Sequence, residues 1–506
     1  MLRKLRRRLK EQELKKIRLL AAALGAAAFL GLFIFPAGSA NASFGTIHIV
    51  GNLTISAGTT VAVGVNAAGQ SDLIEVGGSA TLNGGTVVMQ AVPGVYANGT
   101  TYVILTAAGG VTGTFSSVTG NLTFLAPQLV YSANDVNIVL VRNALSFADV
   151  AATHNEKAVA EALDRISAAG NMTTVVNSVT GLTAAGARDA FNQMGGLVHT
   201  AVPAAAFGVS DRQLATLTSR LGGAAKDDED PSGGFWSRVY GNRGSRSGND
   251  ISAKYKYGTN GVMLGYDKKV SERLLIGIAG GYASNRLDMK DLAEHARANY
   301  GQGALYGSYT ADPWYIIGIF AYGHGSYSTA RNIDLTAVTA SGSYSGKLTT
   351  GYLEAGRRIK AKECEVTPLV SFQTSHLSRG GFTETGAGDL NLIASGAGYT
   401  SNLGTLGVRI SKDSVSEGGT KIGRELRVGW AHEFSGNGYG MAASFAGSPG
   451  YSFTVRGDRL PPNSLLVGLA WSAATRKNAG YFVNVGGRFA GHDRECSAAL
   501  TYRYTW

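Results

Sequence analysis

Histidine, acids and serine are the side chains from which a hydrolytic site is assembled, and residues 43–141 hold few of them. They contain one histidine, His48, and only Asp72, Glu75 and Asp135 as acids. A Ser/His/Asp site needs a base within hydrogen-bond reach of an activated serine, and no serine there occupies a Gly-x-Ser-x-Gly elbow. Gly447-Ser448-Pro449-Gly450 reads as a turn. His432 and Glu433 sit on opposite faces of one alternating segment, with Glu433 expected beside Arg427, so charged wall lining is favoured over a dyad. Arg456-Gly457-Asp458 spells an integrin-binding tripeptide, but its first two residues belong to a Phe453-x-Val455-x-Gly457 run, which makes the aspartate read as a chance extension. Cys364 and Cys496 lie far apart without paired histidines, so no zinc-ligand spacing exists. No Gly-x-Gly-x-x-Gly lies between a strand and a helix. A non-enzyme without cofactor or metal is expected.

The elements around these residues divide by composition. The 506 residues carry a net charge of +11, yet Arg3, Lys4, Arg6, Arg7, Arg8, Lys10, Lys15, Lys16 and Arg18 account for most of it. Residues 43–141 have no Lys or Arg, whereas nucleic-acid binding needs clustered cations. The basic start, the apolar run Leu19–Phe35 and the small residues of Ala40-Asn41-Ala42 predict a signal peptide over 1–42, cleaved between Ala42 and Ser43.

Residues 43–145 are rich in Gly, Thr, Val and Asn, with short apolar runs such as 47–50, 73–76 and 102–105 between turns. Strands this short suit the stacked coils of a β-solenoid, although no fixed repeat length is visible. Residues 146–234 form a helical linker. Thr153-His154-Asn155-Glu156 matches a capping box before Val159, Leu163 and Ile166. A second helix is expected over 210–221, from Ser210 and Gln213 through Leu214, Leu217 and Leu221, with Gly222-Gly223 as its C-cap.

From 235 to 506 the period becomes 2. Leu274, Ile276, Ile278 and Tyr282 share one face; Leu426, Val428 and Trp430 alternate with Glu425, Arg427 and Gly429; Val483, Val485 and Phe489 alternate with Asn484, Gly486 and Arg488. At the C-terminus Tyr502, Tyr504 and Trp506 alternate with Arg503 and Thr505. Apolar faces that turn aromatic near strand ends, with tight turns on one rim and long loops on the other, mark a transmembrane barrel. Tight turns are expected at 269–272, 311–313, 361–363 and 475–478, and long polar loops at about 243–256, 287–296, 328–343, 379–397 and 436–462. The fold class expected is all-β with a short helical linker: about twelve antiparallel strands closed in lipid, preceded by a short solenoid-like region. Glu425, Arg427, Glu433, Arg488 and Arg503 should line the bore. Cys364 and Cys496 fall at opposite rims, too distant for a disulfide.

Several segments together resemble the autotransporter family (type V secretion). These are Phe235-Trp236-Ser237-Arg238-Val239-Tyr240-Gly241, Trp430-Ala431-His432-Glu433-Phe434, Phe445-Ala446-Gly447, Phe453-Thr454-Val455-Arg456-Gly457, and the terminal Tyr502-Arg503-Tyr504-Thr505-Trp506. Upstream, Gly109–Phe115 and Leu129-Val130-Tyr131 look like the last coils before a translocator. The resemblance implies Sec export and insertion by the outer-membrane β-barrel assembly machinery, which reads the terminal aromatic signal Tyr502, Tyr504 and Trp506. It further implies that the N-terminal passenger crosses the lipid bilayer, leaving the 210–221 helix in the pore. Passengers of this family are often several hundred residues long, so residues 43–145 are expected to be a truncated passenger or a stability cap. Contact with a host or neighbouring-cell surface is the expected partner class. The absence of Asn in 210–221 predicts no self-cleavage there. The alternative is a channel-like barrel with a vestigial passenger.

Overall fold

The computed structural model describes residues 32–33, 44–224, 233–249, 251–417, 419–436, 438–474 and 479–505. The expected cleavage residues Ala40, Ala42 and Ser43, the terminal Trp506 and the turn 475–478 lie outside the described residues. Compactness divides the chain into one unit of residues 1–150 with 173–189, and a second of 151–172 with 190–506.

The first unit is a parallel β-solenoid. Beyond the short β1 (Leu32–Phe33), each coil contributes three strands. The first coil is β2 (Thr46–Ile49), β3 (Leu53–Ile55) and β4 (Thr60–Val65). The second is β5 (Leu73–Val76), β6 (Ala80–Asn83) and β7 (Thr86–Ala91), and the third β8 (Thr101–Ala107), β9 (Val111–Thr114) and β10 (Ser117–Gly120). Corresponding strands stack in register as three parallel faces. The missing repeat length has a simple cause. Contacts between the first two coils join residues 27 apart on two faces, as in Asn52–Ser79, and 26 apart on the third, as in Thr60↔Thr86, while those between the second and third join residues 31 apart, as in Thr81–Thr112.

Inward Leu53, Ile55, Val61, Val63, Ile74, Val76, Leu82, Val87 and Ile104 form a continuous core. Asparagines close the corners, with Asn52 Oδ1 accepting from Ser79 N at 2.9 Å and Asn121 Oδ1 from Ala91 N at 2.8 Å. Gly113 needs its positive φ of 75° and its missing Cβ, because it lies on the Leu82 carbonyl. The last coil ends under an antiparallel hairpin, β11 (Leu125–Tyr131) and β12 (Asp135–Arg142), with β12 laid along β8. Phe124 and Phe147 pack edge to face at 5.0 Å, and the Arg142 guanidinium covers both rings. This capping hairpin pairs the β8 edge, which would otherwise be an open template for further strands.

Four helices follow: α1 (His154–Ala168), α2 (Thr173–Thr180), α3 (Ala184–Gly195) and α4 (Leu197–Ala224). The Thr153/Glu156 capping box forms as expected, and Val159, Leu163 and Ile166 are fully buried. Gly196, at φ +68°, makes the break between α3 and α4, where a Cβ would meet Leu392.

The second unit is a closed antiparallel barrel of twelve walls. These are β13 (Gly233–Arg246), β14 (Tyr255–Lys269), β15 (Leu274–Met289), β16 (Glu294–Ala311), β17 (Trp314–Ile333) and β18 (Val338–Arg357), which β19 (Ile359–Ala361) continues. Then come β20 (Cys364–Arg379), β23 (Ala397–Val415), β24 (Lys421–Glu433), β27 (Asn463–Ala474), β28 (Ala479–Ala490) and β29 (Asp493–Thr505). Strand β13 pairs with β14 on one side and β29 on the other, from Gly234↔Thr505 to Arg246↔Asp493, so no edge is left in lipid. Leu274, Ile276, Ile278, Phe320, Leu353, Trp430 and Leu500 point outward as the alternation predicts, with Tyr282, Trp314, Trp471, Tyr502 and Tyr504 in the aromatic set.

Two expected long loops are not loops. Residues 287–296 and 328–343 extend the strands to turns at 290–293 and 334–337. Above the bilayer the outer face meets water, so the apolar half of the alternation disappears while the hydrogen-bonded ladder continues. Of the other three, 247–254 is a shorter connection between β13 and β14, while 380–396 and 434–462 fold on each other. Their strands β21 (Phe382–Thr383), β22 (Leu392–Ala394), β25 (Met441–Phe445) and β26 (Ser448–Val455) make a separate four-stranded sheet.

Candidate functional site

The bore is the site, and α4 occupies it. The helix runs 28 residues, about 42 Å, not the twelve expected over 210–221. It begins thirteen residues before Ser210 and continues through Gly222-Gly223 to Ala224. The sequence understates it because a helix enclosed on every side needs no polar face, and Pro203 together with the alanines of 201–206 hides the start.

The expected pore residues all contact the wall or are buried by it. Leu214, Leu217 and Leu221 are buried. Ser210 lies mid-helix rather than at a cap, with Oγ 2.6 Å from Thr350 Oγ1 and 3.3 Å from Ser375 Oγ. Gln213 Nε2 donates to the Gly303 carbonyl at 3.4 Å. Stronger ties were missed. Arg220 grips Asp267 through two bonds, Nη2–Oδ1 at 2.6 Å and Nε–Oδ2 at 2.9 Å, with both side chains almost fully buried. Asp267 also accepts from Tyr306 Oη at 2.9 Å, and Trp236 Nε1 donates to that oxygen at 2.7 Å. Asp211 meets Arg488 at 3.1 Å and Gln373 Nε2 at 2.8 Å, while Arg212 reaches Glu495 at 3.2 Å.

Of the expected lining residues, Glu433 and Arg503 are buried, Arg488 reaches Asp211 of α4, Arg427 meets the buried Glu354, and Glu425 stands beside Arg409. One pairing is corrected. Arg427 binds Glu354 at 2.8 Å, not Glu433. Glu433 instead accepts from Ser401 Oγ at 2.6 Å and from Asn402 N at 2.8 Å, because their positions on β24 point them at different neighbours. Glu425 lies 3.9 Å from Arg409, a further inward cation.

The inward glycines are covered rather than open. Gly261, Gly265, Gly277, Gly325 and Gly356 lie under the rings of Tyr240, Trp236, Tyr306, Tyr300 and Tyr315. Rings lying flat on glycine thicken the wall only slightly, and α4 fills the remaining width. Beside Phe207, Gly208 and Asp211 there is a cavity of about 30 Å³, room for about one water.

At the outer mouth the first turn of α4 is latched. Val198 N donates to Glu294 at 2.8 Å. His199 Nε2 lies 3.0 Å from Glu384 Oε1 and its Nδ1 3.2 Å from Tyr344 Oη. Arg331 binds Glu384 at 2.7 Å and also donates to the carbonyls of Gln193 and Leu390. Burial alone would raise the Glu384 carboxyl, but Arg331 and His199 outweigh it and hold its pKa down at about 2.

The Arg456-Gly457-Asp458 triplet belongs to this mouth. Asn155 of α1 brackets Arg456, donating to its carbonyl at 2.8 Å and accepting from its N–H at 2.7 Å. Gly457 N donates to Tyr439 O, and Asp458 is engaged by Arg246 at 3.8 Å and Asn249 at 3.3 Å. In the solenoid, His48 faces Glu75 at 2.8 Å, both exposed. Cys364 and Cys496 stand at opposite rims by strand register.

Comparison with known proteins places this architecture. Residues 235–486 match the family model described as autotransporter beta-domain. The chain is 24% identical over 517 residues to an extracellular serine protease of Serratia marcescens, covering 91% of this chain and 49% of that protein. It is 29% identical over 200 residues to outer membrane protein A of Rickettsia rickettsii, covering 37% of this chain and 9% of that protein. The chain thus spans about half or less of the length of these curated relatives. The translocator domain of autotransporter NalP from Neisseria meningitidis superimposes with a TM-score of 0.50 at 16% identity, over 62% of this chain and all of that domain.

Proposed function

The chain belongs to the autotransporter family, residing in the outer membrane with its passenger at the cell surface, and from that premise we propose that its barrel exports its own solenoid and then keeps α4 as a plug. The observation that carries this reading is one continuous helix threading a closed wall, bonded along its length from Val198 to Arg220. A chain left in the pore after export must join an external N-terminal part to a strand that begins at the inner rim, and α4 followed by β13 has that polarity. Sec export and insertion by the barrel assembly machinery are the partners this route requires.

We further propose that the solenoid is non-enzymatic and acts as an adhesive or structural surface module. His48 contacts a carboxylate, and no hydrogen bond joins it to a serine among the described residues. The protease activity named for the Serratia relatives remains theirs. Its adhesive surface is a face of the solenoid rather than the triplet at 456–458, which is bound into the mouth.

Brief protease treatment of intact cells tests display: loss of a fragment containing 44–145 with retention of 233–505 supports it, and a protected solenoid overturns it. Labelling of the released solenoid by a fluorophosphonate probe would overturn the non-enzymatic reading.

A further inference from the structure

One lumenal guanidinium is used by none of the ion pairs above. Arg238 projects inward from β13, opposite Thr501 of β29 and Met263 of β14 in the ladder, and is 5% exposed. The charged group acting on it most strongly is Arg212 of α4, a second cation. No described carboxylate forms a salt bridge with Arg238. Its Nε is buried without an acceptor among the described residues, and so are Arg212 Nε and Thr501 Oγ1. Two positions along β13, Tyr240 donates to Gln302 Oε1, and the Nε2 donor of Gln302 is in the same condition.

A guanidinium does not lose its proton in proteins, and a buried charge without a partner is strongly unfavourable. The groups gathered here can all donate. A group that only accepts, and that carries the missing negative charge, satisfies them together. The charge is fixed by the surroundings: Arg212 is already offset by Glu495, so Arg238 leaves one positive charge to balance. We propose that the bore binds one monovalent inorganic anion of the chloride class between Arg238 and Thr501 of the wall and Arg212 of the plug. The anion then ties α4 to the β13–β29 seam at mid-depth, between the Arg220 clasp and the latch at the mouth.

The test uses the full-length chain in detergent micelles, with thermal unfolding followed by near-UV circular dichroism at constant ionic strength. Replacing sodium gluconate by sodium chloride should raise Tm saturably, by about 4 °C at saturating chloride. Arg238→Gln should abolish that dependence, while Arg273→Gln, on an inner-rim turn, should keep it. Wild-type crystals soaked in bromide should show an anomalous peak within hydrogen-bond distance of Arg238 and Arg212, which keeps the proposal testable if the variant does not fold. The proposal is overturned by water alone at that position, by a bromide peak without any chloride effect on Tm (an adventitious ion only), or by undiminished chloride dependence in Arg238→Gln.

Discussion

Removing the Arg220 side chain should loosen the plug more than any other single truncation in α4. Arg220 and Asp267 form a two-bond clasp with both side chains almost fully buried. Arg220→Met keeps helix propensity and apolar bulk but leaves the Asp267 carboxylate without its cation, with the Tyr306 hydroxyl still donating to it. Stripping one partner from a buried pair costs about 3–5 kcal/mol, and each 1.4 kcal/mol is about tenfold in an equilibrium. If the clasp is made only with the helix seated, the ratio of unplugged to plugged barrels rises about a thousandfold. Planar-bilayer recording measures that ratio directly, because an emptied twelve-stranded barrel conducts. Wild type should stay closed, Arg220→Met should show frequent openings, and Arg220→Met combined with Asp267→Leu should return most of the way, since an apolar pair of similar volume removes the stranded charge. If the single variant opens less than tenfold more often than wild type, or if the double variant is leakier than either single one, the clasp does not hold the plug.

Other outcomes follow from the same contacts. The Glu384 carboxyl sits at about 2 against an ordinary 4.5. A depressed acid stabilises the fold fully above its unfolded value, so the mouth latch should hold above pH 4.5 and weaken as pH falls toward 2, by on the order of 3 kcal/mol in all; limited proteolysis of the 380–396 loop across that range reads it. Asn155→Ala removes three hydrogen bonds, to Ile251, Arg456 N and Arg456 O, and should expose 434–462 to protease without opening the bore. Phe124→Ala opens a void beneath Phe147 and Arg142 and should lower solenoid stability by about 3–5 kcal/mol in urea unfolding. Asp458→Ala should leave cell adhesion unchanged in binding assays, since this side chain faces Arg246 and Asn249.

The sequence by itself determined the barrel. Each wall strand needs lipid-facing apolar residues at every second position, so about twelve strands can be counted from the alternation alone. It also determined that Glu425, Arg427, Glu433, Arg488 and Arg503 point inward, because parity along a strand settles facing without any knowledge of neighbours. Tertiary structure alone decided which charges meet. Arg427 selects Glu354, from a strand about seventy positions earlier, and Arg220 selects Asp267, because closure of the barrel and insertion of the helix bring distant segments to one depth. The length of α4 was hidden for the same reason: a helix wrapped by a wall has no solvent side to mark its ends. Beyond the bilayer, at 287–296 and 328–343, water on the outer face erased the only pattern by which those strands could be read.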